Sequence, residues 1–222
     1  MANWMGREGS NVPLNAAVAI SGGLDMRYEE DFKRAQRLWQ PILTSELRNT
    51  FVVGKWGERV RHRLTKKQLK QLMRATHITE IDRTAVVAYN GFEGLMVCCR
   101  ASRVYSLSNT YCQHYYTEMS LLGDVPLSEY ESRALNSARR INKVAVPLLI
   151  LHALDDPLVT WETTAANRGL LHPTNVTRTG QGNLVVLLTK RGGHVGWPLG
   201  WMPSNDNWAF MNGAAVSFAK LA

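Results

Sequence analysis

Residues 148–159 read LLILHALDDPLV. An apolar run containing one histidine stops abruptly in two aspartates and a proline. Such a run, bounded by turn residues, fits a strand buried on both faces of a parallel sheet, where helices cover both sides. With its approach residues this strand spans Val146–Ala153, and two other runs share its pattern, Leu14–Ser21 (LNAAVAIS) and Asn183–Lys190 (NLVVLLTK). Trp161–Leu171 can supply a crossover helix between the last two strands. Toward residue 222, Trp208, Met211, Ala215 and Phe218 recur at helical spacing, and Ser204, Asn205 or Asp206 can cap that helix. Strand, helix, strand, helix is the layering of an α/β fold.

Met26–Lys143 differs. It is rich in Arg, Lys, Gln and Glu, with helical apolar spacing in EEDFKRAQRLWQPIL and LTKKQLKQLM, and short β-like runs at Ala85–Tyr89 and Leu95–Cys99. It reads as a mainly helical insertion between two sheet strands. The expected organisation is residues 1–27 as the end of a helix and a strand, 28–143 as a helical cap, and 144–222 as the closing α/β part, all within one domain.

The chain has 222 residues, enough for one large domain with a real core. No apolar stretch reaches 18 residues, and MANWMGREG lacks the charged and apolar regions of a signal peptide. Cys98, Cys99 and Cys112 have neither the count nor the spacing of a disulfide framework or a zinc site, which points to a reducing compartment. A cytoplasmic or peripheral-membrane location is expected.

The net charge of +8 is concentrated. Lys55, Arg59, Arg61, Arg63, Lys66, Lys67, Lys70 and Arg74 face one acid, Glu58, within a single stretch. The bland reading is the solvated face of a helix whose other side carries Leu64, Leu69, Leu72 and Met73. No aromatic residues interleave for base stacking, so nucleic acid is not expected as a partner. Attraction to anionic lipid headgroups stays open.

The chemistry-bearing stretches are LLILHALDDPLV and RGGHVGWPLG, the second placing His194 on a glycine-rich loop after a buried strand. A carboxylate on one strand-end loop and a histidine on the next is the order of the last two members of a hydrolase triad. The acid accepts the Nδ1 proton, fixes the tautomer and stabilises the imidazolium formed when Nε2 takes a proton from serine. Either Asp155 or Asp156 can serve, since consecutive residues leaving a strand point to opposite sides. Taken singly, the aspartates fit a capped turn and His194 a satisfied loop histidine; their order at successive strand ends favours catalysis. No metal or organic cofactor is called for.

HALDDPLV, GGHVGW, PLNAAVAISGGLDM, ARRINKVAVPLLI and YCQHYYTEMS together resemble the C-terminal half of an α/β-hydrolase of the YheT-like branch, a group including embryogenesis-associated plant proteins and animal abhydrolase-domain lipases. The likeness is densest from Arg139 to Trp197 and loosest from about Val87 to Asn109. It implies a serine hydrolase of carboxylic esters, several members acting on acylglycerols or phospholipid acyl chains. Family usage puts the acid three residues after the small residue closing its strand, here Ala153, so the resemblance carries the triad acid to Asp156 and the base to His194.

Ser21, in AVAISGGLDMR, is the one serine whose surroundings approach a nucleophile elbow, and the order Ser21, Asp156, His194 agrees with the fold. Gly22, Gly23, Leu24 and Asp25 are poor material for the helix that must follow an elbow. The resemblance aligns PLNAAVAISGGLDM with the strand after the nucleophile strand and places the serine before Met1, on the order of ten residues away. The expectation is therefore a fragment or truncated gene model, inactive alone, with the strand Leu14–Ser21 exposing an unpaired edge. Ser21 is kept as the alternative nucleophile. Trp197, Trp201 and Met202 either line an acyl pocket or pack under the histidine loop. Two other functions compete: a non-catalytic membrane-surface or interaction module using residues 55–74, and a transferase or peptidase on the same fold.

Overall fold

The computed structural model of the chain describes residues 1–26, 38–89, 115–116, 118–125, 139–164, 172–197 and 208–222. In chain order its main elements are helix α1 (Ala2–Glu8), strand β1 (Ala17–Ile20), helices α2 (Gln40–Arg48), α3 (Glu58–Arg63), α4 (Lys66–Leu72) and α5 (Ile78–Ile81), strands β2 (Leu148–Ala153) and β3 (Leu184–Thr189), and helix α6 (Ala209–Leu221). They fall into two compact units, Met1–Glu29 with Thr117–Ala222, and Glu30–Tyr116.

The first unit is an open sheet of three parallel strands in the order β1-β2-β3, flanked by helices, an α/β arrangement. Register and the two-residue side-chain period set which residues share a face. Ala17 aligns with Leu148 and Leu184, and Ala19 with Ile150 and Val186. These pack on one side with Met5 of α1, Leu121, Leu122, Val125, Ile141 and Val176. Ile20, Leu151 and Leu187 face the other side, with Ala153, Trp197 and Met211 and Phe210 of α6.

Only β2 is buried along its whole length, whereas all three strands were expected to be. Among the described residues only the central strand has neighbours on both edges, and β1 offers its outer edge to no strand. All three strands are also shorter than the runs that announced them, because ladder pairing begins at Ala17, Leu148 and Leu184.

Residues 118–125 and 139–143, placed with the insertion on sequence, lie in the sheet unit, where Leu121, Leu122, Val125 and Ile141 complete the core. The described start of the expected crossover helix is a 3₁₀ turn, Trp161–Thr163; residues 165–171 lie outside the described set. So do Leu95–Cys99, the three cysteines, residues 27–37, parts of YCQHYYTEMS, the caps Ser204–Asp206, and Trp201 and Met202.

The second unit is helical around Val52, Leu72, Ala75, Ile81 and Ala85. The basic stretch forms two helices rather than one. It breaks at Leu64, and Thr65 restarts it with a reciprocal cap: its hydroxyl accepts from the Gln68 N–H at 3.2 Å, while its own N–H donates to Gln68 Oε1 at 2.9 Å. Leu64, Leu69 and Leu72 turn inward as expected, but Met73 is 45% exposed, because the helix has ended. Ala85–Tyr89 is helical rather than β-like: burial of Ile81 and Ala85, four apart, overrides local β preference. No described helix is long and apolar enough to cross a membrane.

Asp82 is a part-buried acid beside this core. Burial pushes its carboxyl up to about 6, and the Tyr116 hydroxyl, donating at 3.0 Å, offsets only part of that. Burial, and secondarily the same carboxylate, raise the neighbouring Tyr115. An acid whose folded pKa lies above its unfolded value stabilises the fold at low pH and loses that contribution as pH rises toward 6. Asp82→Asn removes the charge, so the stability difference between variant and wild type should grow in the variant's favour between pH 4 and 7, by up to about 3 kcal/mol. Paired urea titrations across that range test this; a constant difference contradicts it.

Candidate active site

The end of β2 builds one half of the site. The chain turns where the Asp156 N–H donates to the Ala153 carbonyl at 3.2 Å, which sends the two aspartates different ways. Asp156 points inward, its side chain fully buried, and its Oδ1 accepts the N–H groups of Leu158 at 2.8 Å and Val159 at 3.0 Å. Its Oδ2 lies 2.9 Å from Nδ1 of His194. Burial alone would raise this carboxyl, but the bonds from His194, Leu158 and Val159 outweigh it and hold Asp156 below its ordinary range. Asp155 stays exposed and accepts the Gly193 N–H at 2.9 Å, tying down the loop just before the histidine.

The other half follows β3. Trp197 is buried under the loop: its Nε1 donates to the Thr189 hydroxyl at 2.7 Å, its N–H to the Gly192 carbonyl at 2.9 Å, and its ring stacks near Phe210. A cavity of about 690 Å³ borders His194, walled by Trp197 and Phe210 with Arg191 and Asp155 at its polar side. Trp197 thus packs beneath the loop and also forms part of the cavity wall. The His194 side chain is 31% exposed.

Glycine is required twice here for different reasons. Gly193 has φ +63, a left-handed conformation costly for residues with a Cβ. At Gly192 a Cβ would lie 2.3–2.6 Å from the Trp197 indole. Gly192→Ala should therefore displace the indole and cost about 1–3 kcal/mol, read as a lower unfolding midpoint with altered tryptophan emission. An unchanged midpoint and spectrum would contradict this packing.

Ser21 ends β1 in a left-handed conformation, φ 49, and its hydroxyl donates to the His194 main-chain carbonyl. The following residues do not start a helix; Leu24 and Asp25 both donate to the Thr163 carbonyl, at 2.8 and 2.9 Å. Ser21, Gly193 and Trp197, all left-handed, surround His194. The hydroxyl of Ser21 is thus engaged in holding the histidine loop.

One residue escaped the sequence reading. His152, fully buried on β2, has Nε2 3.1 Å from the Val159 carbonyl, and burial lowers its pKa, so it is neutral and donates there. Val159 in turn donates to Asp156, making His152 a brace behind the acid loop. A lone polar residue inside LLILHA was the available signal. Its Nδ1 has no partner among the described residues. No group of three or more His, Cys, Asp or Glu among the described residues could hold a metal ion. Comparisons with protein-family models, curated proteins and solved structures gave no match to this chain.

Proposed function

We propose that Asp156 and His194 are the acid and base of a serine hydrolase acting on carboxylic esters, lipid-type acyl esters among them, on the closing half of an α/β-hydrolase fold. The observation that carries this reading is the buried Asp156 carboxylate bonded to Nδ1 of a part-exposed histidine beside a largely apolar cavity. That bond leaves Nε2 as the basic nitrogen. It takes the serine proton as the hydroxyl attacks the ester carbonyl, returns it to the leaving alcohol, and then activates water to release the acid. The nucleophile in this reading is a serine preceding residue 1, with Ser21 as the alternative.

The test compares the 222-residue chain with a protein extended upstream in its reading frame, using a p-nitrophenyl acyl ester, a monoacylglycerol and a fluorophosphonate label. The extended protein should hydrolyse and be labelled, and His194→Ala should abolish turnover. Activity of the 222 residues that vanishes in Ser21→Ala would move the nucleophile to Ser21. Absence of labelling and turnover in both proteins would sink the reading.

A second reading, a membrane-surface module, draws on the exposure of Lys55, Arg59, Lys66, Lys67, Lys70 and Arg74. Arg61 and the exposed Arg63 are bonded within the unit, donating to the carbonyls of Val53 and Tyr89. It requires binding to phosphatidylserine vesicles that is lost on charge reversal at Lys66, Lys67 and Lys70, with Asp156 and His194 dispensable.

A further inference from the structure

Among the described residues of the helical unit are two π-turns, and both face the same space. Helix α2 runs into one at Asn49–Val53, and α5 runs into the other at Asp82–Val86. A π-turn inserts a residue into the helical hydrogen-bond pattern and occurs frequently at functional sites. Here the first is held by Arg61, which donates to the carbonyls of Val52, Val53 and Gly54 at its end. Between them lies a cavity of about 300 Å³, bounded by Leu47, Val52, Val60, Ile81, Ala85 and Tyr89. That volume is at the small end of ligand pockets, roughly 300–1,000 Å³.

Among the described residues Asp82 is the one charged member of a wall otherwise formed by aliphatic side chains and Tyr89. The carboxyl hydrogen-bonds the Tyr116 hydroxyl, and no cation among the described residues pairs with it. Arg63 is bound to Tyr89 of that wall: its guanidinium lies 4.5 Å from the ring centroid and donates to the Tyr89 carbonyl at 3.0 Å. A carboxylate facing an apolar cavity without a counter-charge costs stability that a fitting cation would recover.

We propose that this cavity binds a small apolar amine, its ammonium group on the Asp82 carboxylate and its hydrocarbon or aromatic body against Val52, Ile81 and Ala85. Shape selects a single ring or short chain, and charge selects the amine over the corresponding alcohol. This site is separate from Asp156 and His194 and does not depend on the function proposed for them.

Calorimetric titration of the whole chain at pH 7.5 with 2-phenylethylamine and 2-phenylethanol tests it. Wild type should bind the amine about tenfold more tightly than the alcohol, the difference between a charge-assisted and a neutral hydrogen bond. Asp82→Asn should bring the two affinities together, and Ala85→Phe, which fills the cavity, should abolish both. Equal affinities in wild type, binding of neither probe, or a tenfold preference that survives Asp82→Asn would overturn the proposal. The wild-type comparison stands even if a variant fails to fold.

Discussion

On the proposed function, replacing Asp156 by asparagine is expected to lower ester turnover about 10⁴-fold, with the fold intact. The geometry dictates which way the new amide sits. Leu158 and Val159 both donate to Oδ1, so that position must remain a carbonyl oxygen, and the amide NH₂ takes the place of Oδ2 opposite Nδ1 of His194. Two donors cannot face each other. The imidazole must therefore present a bare Nδ1 and carry its proton on Nε2, where it cannot accept one from serine. The tautomer is readable in the 222-residue chain without any turnover: nitrogen-15 spectra should show His194 protonated on Nδ1 in wild type and on Nε2 in Asp156→Asn. Retention of the Nδ1 proton, or undiminished turnover, would refute the coupling.

Leu151→Ala should destabilise the sheet unit by about 3–4 kcal/mol. Leu151 is fully buried at the centre of β2 and meets Trp197 and Met211 on the face below the histidine loop. Its truncation loses apolar burial and leaves a void that a three-stranded sheet held in register cannot close. Because the void lies under Trp197, the loop carrying His194 should loosen as well. Urea unfolding with tryptophan emission checks both, against Val185→Ala on β3, whose side is 44% exposed and which should change stability by less than about 0.5 kcal/mol. Equal effects from the two substitutions would show that the face is not packed as described.

How much of this was legible in the sequence varies with what each feature depends on. The three strands announce themselves because apolar runs between turn residues have few other fates. Their unequal burial does not, since it depends on which strand lies in the middle. Both ends of the Asp156–His194 bond could be named from residue type and order, yet only the turn closing on Ala153 separates the work of Asp156 from that of Asp155. The limits of the helical unit are not legible in sequence, because Leu121, Leu122 and Ile141 look like any helical apolar residues and their packing partners are far away in the chain. The π-turns carry no sequence signature, so the cavity around Asp82 could not be anticipated. Asp82 also links stability with recognition: the substitution expected to strengthen the fold above pH 6 is the one expected to erase amine selectivity.

The register of β1 on β2 also governs when the sheet can exist. Ala17 pairs with Leu148, so the first strand leaves the ribosome long before its neighbour. At synthesis rates of about 5–20 residues per second, that interval is on the order of ten seconds. The helical unit lies wholly within the interval and its described core is built from nearby contacts, so it can fold while β1 waits for β2. Closing so long a loop adds little to the equilibrium cost, which grows only logarithmically. The burden is kinetic: the edge of β1 that pairs with β2 must stay open during that interval, and its capture by the wrong strand is the expected failure when the protein is overproduced.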